Sequence, residues 1–175
     1  GVSIGYWFNV GFKSTCAISV NHDGTINLVE GSTDIGGSRV SIGMQAAEVL
    51  GIAAEDVRPT VVDTDSVGYT DVTGGSRTTY TTGWAAHIAA EDVKKQMIER
   101  AALIWDVDAG SLEMEKGVTR SKTDTELKMT FKELAAQLAD TGGTILGNGS
   151  IDGGGMGAGG GSFAGNIVDV EVDPE

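Results

Sequence analysis

The opening half of the chain contains two short segments in which small or polar residues alternate with apolar ones. Residues 14–20 and 25–30 show this two-residue period, and the sequence Asn-His-Asp-Gly separates them at 21–24. Alternation places the apolar side chains on one face of a strand, and the glycine can take the positive φ of a tight turn. Residues 14–30 are therefore predicted to form a β-hairpin.

Three other segments carry the helical period of three and four residues. The first is predicted over 38–50, before a stop at Gly51, with an apolar face of Val40, Met44, Ala47 and Leu50. The second should run from near Ser76 to about Trp105, because one stripe follows it: Ala86, Ala90, Val93, Met97, Ala101 and Ile104. The third follows a capping box of Thr130 and Glu133 and should end near residues 141–143.

Short β-branched or alternating runs predict further β-structure at 57–63, 112–120, 144–151 and 164–172. Between the last two, residues 152–162 include seven glycines among eleven residues, which favours a flexible or ligand-hugging loop. Helices and strands that mix without a strict β-α-β order indicate an α+β fold. We therefore expect one domain over residues 1–175, with a mixed sheet, a long central helix and two shorter helices.

Composition narrows the possible functions. The chain has 25 acidic and 12 basic residues and a net charge of -13, so nucleic acid is not an expected partner. No apolar run approaches the roughly 18 residues that a membrane helix needs, and no export signal is visible, so we expect no membrane partner and a cytoplasmic location. One cysteine, Cys16, and two distant histidines offer no ligand spacing for a metal bound directly by side chains.

One tetrapeptide, Gly-Gly-Ser-Arg, occurs twice, at 36–39 and at 74–77, each time where a loop should enter a helix. Paired glycines let a ligand approach the backbone, serine can cap a helix, and helix N-termini offer free N–H groups with a partial positive charge. The duplication predicts two helix N-termini that face one anion-binding pocket, with Thr78 adding a hydroxyl. The alternative is two ordinary turns, each followed by an N-cap.

Carboxylates and hydroxyls crowd the loop before and after the second copy, and they leave two interpretations open. The hydroxyls could bind a polar cofactor or could satisfy their own backbone. Neither copy fits a phosphate-binding loop for ATP or a nicotinamide fingerprint. The loop carboxylates are candidates for acid-base chemistry, although a turn-forming role is favoured for each: Asp34, Asp63, Asp65 and Asp71.

Residues 29–39 and 63–79, with the helix that follows, closely resemble the large subunit of molybdenum hydroxylases. This is the family of xanthine dehydrogenase, aldehyde oxidase and carbon monoxide dehydrogenase. The resemblance extends from the opening Gly-Tyr-Trp-Phe-Asn-Val-Gly-Phe to the closing Val-Asp-Val-Glu-Val-Asp-Pro-Glu. It implies an oxidoreductase that hydroxylates a carbon centre with oxygen from water. The cofactor it implies is molybdopterin, a molybdenum pyranopterin, either as such or as the cytosine dinucleotide.

The resemblance also implies which residues bind the cofactor. Those beside the molybdenum and pterin belong to the first segment, and those that hold the pterin and its phosphate belong to the second: Ile35, Gly36, Gly37, Ser38, Thr73, Gly74, Gly75, Ser76, Arg77 and Thr78. The chain departs from the family at Gly37, where many members have Gln. This departure implies either a subgroup with different chemistry or an impaired site.

No catalytic residue is assigned, because the family's base, a Glu in a Gly-Glu-Pro context, falls downstream of the segment where this chain stops. The resemblance thus implies a cofactor-binding part that does not turn over alone. Its partners would be the remaining parts of the large subunit, an iron-sulfur subunit and an FAD subunit. The alternative is a stand-alone anion-binding module or truncated remnant. An exposed apolar patch would mark a domain that packs against neighbours.

Overall fold

The computed structural model describes residues 1–61, 65–154 and 156–174, without the side chains of 61 and 156–159. The helices are α1 (Ser38–Leu50), α2 (Gly83–Trp105) and α3 (Phe131–Ala135). A π-helical turn, Thr78–Thr82, leads directly into α2, and 3-10 turns occupy Ala54–Asp56, Ala109–Ser111 and Leu138–Asp140. The strands are β1 (Val2–Val10), β2 (Lys13–Val20), β3 (Ile26–Glu30), β4 (Val57–Val61), β5 (Leu112–Glu115), β6 (Val118–Ser121), β7 (Lys128–Thr130), β8 (Leu146–Asp152) and β9 (Met156–Ile167).

A four-stranded mixed sheet of order β4-β3-β2-β8 forms the centre of the fold. β2 and β3 form the predicted hairpin, with Val20 opposite Ile26, and β4 runs parallel to β3 after the crossover through α1. Helix α2 packs against β8 and β2, and α1 packs against α2 and β4. The core lies between the helices and this sheet, where Leu28, Ile42 and Met97 are fully buried. The α+β prediction is confirmed.

The bounds of α1 agree with the predicted range, but part of its predicted apolar face is wrong. Val40 and Met44 are 60% and 55% exposed, whereas the face that enters the core consists of Ser38, Ile42, Gly43, Ala46, Ala47 and Leu50. A Cβ atom at Gly43 would already lie 3.3 Å from Cγ1 of Val57. Close packing on β4 therefore selects a face of small residues.

Helix α2 carries the predicted stripe, and its alanines and the glycines of β8 allow a close approach. Ala86, Ala90, Val93 and Met97 have no exposed surface. A Cβ atom at Gly149 of β8 would lie 1.9 Å from the carbonyl oxygen of Ala85, and one at Gly147 would lie 2.4 Å from that of Ala89. Strand and helix therefore pack almost backbone to backbone.

The β-structure predicted at 112–120 is confirmed as a hairpin of β5 and β6, which belongs to a small sheet of order β5-β6-β7. The capping box is present as well, since the Glu133 N–H donates to the Thr130 hydroxyl at 3.2 Å. The third helix ends at Ala135, earlier than predicted. Arg100 of α2 binds the carbonyl oxygen of Gly143, a tertiary contact to the end of this segment.

The glycine-rich segment 152–162 was predicted as a loop, and this prediction is wrong from Met156 onward, whereas Gly153 and Gly154 lie outside the strands. β9 spans Met156–Ile167 and pairs antiparallel with β1, a strand that the pattern did not predict; residue 155 lies outside the described residues. A Cβ atom at Gly161 would lie 2.4 Å from the ring of Tyr6, so glycine makes room for an aromatic side chain of β1. Regular structure ends at Ile167, short of the predicted strand end at residue 172.

Candidate functional site

The two loops that carry the repeated tetrapeptide lie side by side in the fold. Residues 31–37 follow β3, and the described residues 65–77 lead from the β4 side to the π-helical turn. The Thr33 N–H donates to the hydroxyl of Thr73 at 3.4 Å. Beyond the loops, Nε2 of Gln45 in α1 donates to the carbonyl oxygen of Thr79 at 3.1 Å. The structure therefore brings the two predicted clusters into one region.

The first loop presents open backbone at its glycines. Gly36 and Gly37 have φ values of 68° and 94°, a left-handed conformation that glycine adopts without steric cost. A Cβ atom at either residue would have nothing within 4 Å, and Ile35 beside them is 55% exposed. A ligand could approach this backbone closely. Gly37 stands at the position where the family resemblance implies Gln in many members, and glycine adopts the left-handed conformation found there more easily than Gln would.

Asp34, a neighbour of these glycines, caps helix α1. Its Oδ1 accepts hydrogen bonds from the N–H groups of Gly37 and Arg39 at 3.1 and 3.3 Å, and its Oδ2 pairs with Arg39 Nη2 at 3.2 Å. These donors, the Arg39 N–H foremost and then the Ser38 hydroxyl, hold the pKa of Asp34 below its usual range. The carboxylate forms the turn and occupies the positive end of α1.

The predicted capping role of the two serines is wrong. The N-cap of α1 is Gly37, and buried Ser38 instead accepts a hydrogen bond from the Ile35 N–H at 3.1 Å. In the second copy, Ser76 has a φ of 58° and is exposed. Helical structure there begins at Thr78, with Arg77 as its N-cap. Neither serine therefore caps a helix: the Ser38 hydroxyl binds within the first loop, and Ser76 takes a left-handed backbone conformation in the second.

Arg77 is completely buried, and its guanidinium points into the protein. It donates from Nε to the carbonyl oxygen of Gly11 at 3.0 Å, from Nη1 to that of Asp71 at 3.0 Å, and from Nη2 to that of Lys13 at 2.6 Å. Burial lowers the pKa of this guanidinium. Because all three nitrogen atoms donate to carbonyl oxygens of the protein, Arg77 positions the second loop. Its positive charge lies on the protein side of that loop.

The remaining part of the second copy has both tight and open positions. A Cβ atom at Gly75 would lie 2.5 Å from Val10 Cγ2, whereas one at Gly74 would meet nothing within 4 Å. Thr78 is 2% exposed, and its buried hydroxyl has no hydrogen-bond partner among the described residues. A buried hydroxyl without a partner is costly. This orphan hydroxyl and the open glycines fit a polar group placed close to the backbone.

Sequence reasoning did not select Glu30, which supports the first loop. Glu30 is 1% exposed, and its Oε2 accepts hydrogen bonds from the N–H and the hydroxyl of Ser32, both at 2.5 Å. Its position at the end of β3, directly before the loop, was the available signal. Cys16 lies opposite Glu30 in the sheet. Burial, and then the charge of Glu30, raises the pKa of the Cys16 thiol to about 12.

Asp71, another of the candidate carboxylates, takes a structural position. Asp71 accepts hydrogen bonds from the Tyr69 hydroxyl at 2.6 Å and from the Lys13 N–H at 2.7 Å. These two contacts, the Tyr69 hydroxyl first, lower the pKa of Asp71. Asp63 lies outside the described residues.

A cavity of about 640 Å³ adjoins the second copy. Of the ten predicted site residues only Ser76 lines it, together with Thr79 and Tyr80 of the hydroxyl-rich stretch and four residues that sequence reasoning missed: Asn9, Gln45, Trp84 and His87. Tyr80 and Trp84 meet edge to face, with ring centroids 5.8 Å apart. Their spacing of four residues at the start of the long helix was a signal for this aromatic face. The described residues of the first copy do not line the cavity.

Among the described residues, no helix is long and apolar enough to cross a bilayer.

Comparison with known proteins identifies the class to which this fold and site belong. All residues, 1–175, match the family described as molybdopterin cofactor-binding domain. The chain therefore belongs to this family, and the cofactor of the family is molybdopterin.

Particular relatives support the same class. The chain is 33% identical over 119 residues to the xanthine dehydrogenase molybdenum-binding subunit of Escherichia coli O157:H7, which covers 66% of this chain and 16% of the relative. It is 38% identical over 89 residues to the carbon monoxide dehydrogenase large chain of Afipia carboxidovorans, or 51% of this chain and 11% of that one.

Solved structures share the fold. A Cu,Mo-CO dehydrogenase superposes with a TM-score of 0.79 at 26% identity, over 89% of this chain and 22% of that chain. Quinoline 2-oxidoreductase from Pseudomonas putida 86 gives a TM-score of 0.78 at 17% identity, over 94% of this chain and 23% of that chain. This match concerns the fold alone. The chain thus spans about a fifth of the solved chains and less of the curated relatives.

Proposed function

We propose that this domain forms one wall of the molybdenum-cofactor site of a xanthine dehydrogenase-type oxidoreductase. The observation that carries the proposal is the meeting of two loops, each with at least one glycine open to close approach, and the buried hydroxyl of Thr78 at the end of the second. The cofactor-binding residues of the proposal are Ile35, Gly36, Gly37, Ser38, Thr73, Gly74, Gly75, Ser76, Arg77 and Thr78.

The first loop would lie beside the metal and the pterin. Gly36 and Gly37 offer a surface without side chains, and Asp34 and Glu30 hold that surface in place from behind. Because Asp34 already caps α1, this loop contributes shape and backbone contacts more than charge. When bound, the cofactor supplies the chemistry that the family resemblance implies, hydroxylation of a carbon centre with oxygen from water.

The second loop would hold the pterin and its phosphate. Thr78 offers a hydroxyl without a partner, and Gly74 leaves space beside the backbone. Arg77 contributes its charge from within the protein while its donors fix Gly11, Lys13 and Asp71. A buried positive charge behind the loop favours an anion there, against the repulsion of a chain with net charge -13.

We further propose that the domain works together with the remaining parts of a large subunit, an iron-sulfur subunit and an FAD subunit, and does not turn over alone. Two observations support this. The chain spans 16% of the Escherichia coli relative, and the described residues expose a run of large apolar side chains along β1 and β9. Such a surface is typical of a domain that packs against neighbours.

The test is cofactor content after expression with the flanking gene products in a host that makes molybdopterin. Thr78→Val removes the orphan hydroxyl without changing the shape of the side chain. Thr119→Val is the matched control, because Thr119 in β6 is also fully buried and its hydroxyl also lacks a partner among the described residues. One lost hydrogen bond of about 0.5–1.5 kcal/mol should lower pterin affinity by about two- to tenfold.

Molybdenum by mass spectrometry and the oxidised pterin by fluorescence give the readout. We expect pterin retention to fall for Thr78→Val and to stay unchanged for Thr119→Val. A wild-type protein that folds and assembles but contains neither molybdenum nor pterin would contradict the proposal and would favour an anion-binding module without cofactor. Equal pterin content in both variants would exclude Thr78 from the site.

A further inference from the structure

Strands β1 and β9 form a two-stranded ribbon whose two faces differ in character. Directly opposite residues of an antiparallel pair share a face, and in this ribbon Val2 lies opposite Ile167 and Tyr6 opposite Phe163. Val2, Phe163 and Ile167 are 74%, 80% and 82% exposed, and Ile4 on the same face is 84% exposed. The other face carries mainly small and polar residues, for example Ser3 opposite Asn166.

Ribbon residues also lack charge. Residues 1–12 and 156–167 contain no Asp, Glu, Lys or Arg, in a chain with 37 of them. Strands that remain exposed at an edge usually carry charged residues, above all lysine, that prevent pairing with other chains. In the described structure β1 and β9 pair only with each other, so each leaves one edge of backbone N–H and C=O groups open.

An apolar face with two open edges is unfavourable in water, where a two-stranded ribbon is marginally stable at best. The core of the domain does not supply the cover, because the buried apolar cluster of the described side chains contains residues of neither strand. The apolar face of the ribbon therefore stays exposed to solvent among the described residues.

We infer that the β1–β9 ribbon is a docking surface for another part of the same molybdenum-binding subunit, which adds a β-strand at an open edge and covers the apolar face. Strand addition at an open edge combines backbone hydrogen bonds with side-chain pockets. The inference rests on the proposed function for the identity of the partner. The chain covers 11–23% of the relatives compared above, so most of such a subunit is polypeptide that can surround this domain.

Charge and position favour this occupant over a second copy of the chain. Two copies would bring together two net charges of -13, which disfavours self-association. The ribbon also leads directly to the cofactor loops, since the Val10 N–H at the end of β1 donates to the carbonyl oxygen of Gly75 at 2.8 Å. A partner seated on the ribbon would lie beside the second loop and could complete the site.

The experiment places a photo-crosslinking residue at position 4 in the complete subunit, with the same residue at position 95 as control. Ile4 lies on the apolar face, whereas Lys95 is an exposed residue of α2 whose side chain is 75% accessible. We expect position 4 to crosslink, at least tenfold more than position 95, to subunit segments outside residues 1–175. Crosslinks only between copies of residues 1–175, or none at position 4, would overturn the inference.

A second measurement uses Ile4→Lys, with its neighbour Ser3→Lys as the matched control on the opposite face. Ile4→Lys should reduce docking of the remaining subunit by more than tenfold, while circular dichroism of residues 1–175 shows an unchanged fold; Ser3→Lys should reduce docking by less than threefold. Equal losses would contradict the assignment of the apolar face. A subunit that crosslinks at position 4 but contains no cofactor would refute the proposed function and leave the docking surface standing.

Discussion

Nη2 of Arg77 donates a 2.6 Å hydrogen bond to the carbonyl oxygen of Lys13, 64 residues earlier in the chain. This contact fixes the residue that precedes the π-helical turn to the start of β2. Two further donors of the same guanidinium reach Gly11 and Asp71. The second loop is thus held in place by a side chain that the sequence analysis had assigned to cofactor binding.

Replacement of Arg77 by Met should be strongly destabilising. The change removes three charge-assisted hydrogen bonds and leaves the carbonyl oxygen of Asp71 without this donor, whereas the carbonyl oxygens of Gly11 and Lys13 keep the Thr81 hydroxyl and the Asp71 N–H. A hydrogen bond to a charged group contributes about 1.5–3 kcal/mol, so we expect a loss of at least about 3 kcal/mol. Urea unfolding measures this loss. Arg58→Met is the control, because Arg58 is 58% exposed and pairs with Asp23 at 3.5 Å, and an exposed pair contributes about 0–1 kcal/mol. A small loss for Arg77→Met would show that water replaces the guanidinium.

The cap on α1 should weaken at acid pH. Since the folded-state pKa of Asp34 is lowered, its contribution to stability is present above the unfolded-state pKa and disappears as pH falls through the folded-state value. Asp34→Asn should therefore speed amide exchange of Gly37 and Arg39 at neutral pH and make no difference once Asp34 is protonated. Glu55→Gln, an exposed charge change outside the cap, is the control. A mutational effect independent of pH would contradict this account.

Cys16 should be inert in the native protein. It is 4% exposed, and the pKa of its thiol is raised to about 12. Because the thiolate is the reactive form, alkylation at pH 8 should be at least about a thousandfold slower than for an unperturbed thiol. The chain has one cysteine, so the rate with iodoacetamide refers to this residue alone, and urea-unfolded protein is the reference. Rapid alkylation of folded protein would show that β2 opens to solvent.

Gly149→Ala should disrupt the packing of β8 on α2. The new Cβ atom would lie 1.9 Å from the carbonyl oxygen of Ala85, so the strand must move, and overpacking costs about 1–3 kcal/mol or more. Gly165→Ala in β9 is the matched control, since its Cβ atom meets nothing within 4 Å. Thermal unfolding should show a lower Tm for Gly149→Ala only. A similar Tm for both variants would mean that β8 and α2 separate easily.

Local sequence predicted the elements whose signals lie within a few residues of each other. The turn between Val20 and Ile26, the Thr130–Glu133 capping box and the stop at Gly51 need only neighbouring residues, and each is present. The apolar stripe on α2 was predicted correctly because this helix buries one wide face. For the proposed cofactor site, the repeated tetrapeptide directed attention to two loops, and the structure places these loops side by side.

Tertiary structure decided what a local pattern leaves open. α1 has apolar residues on more than one side. Packing against β4 buries the face with Gly43 and leaves the face with Val40 and Met44 exposed. β9 is a strand because β1 supplies a partner for its backbone. A glycine-rich segment has no alternation of apolar and polar side chains from which a strand could be predicted. The serines and Arg77 were assigned by residue type, but the acceptors of Arg77 lie up to 66 residues away in sequence. Only folding brings those carbonyl oxygens within hydrogen-bond distance, and so only folding fixes where the guanidinium points.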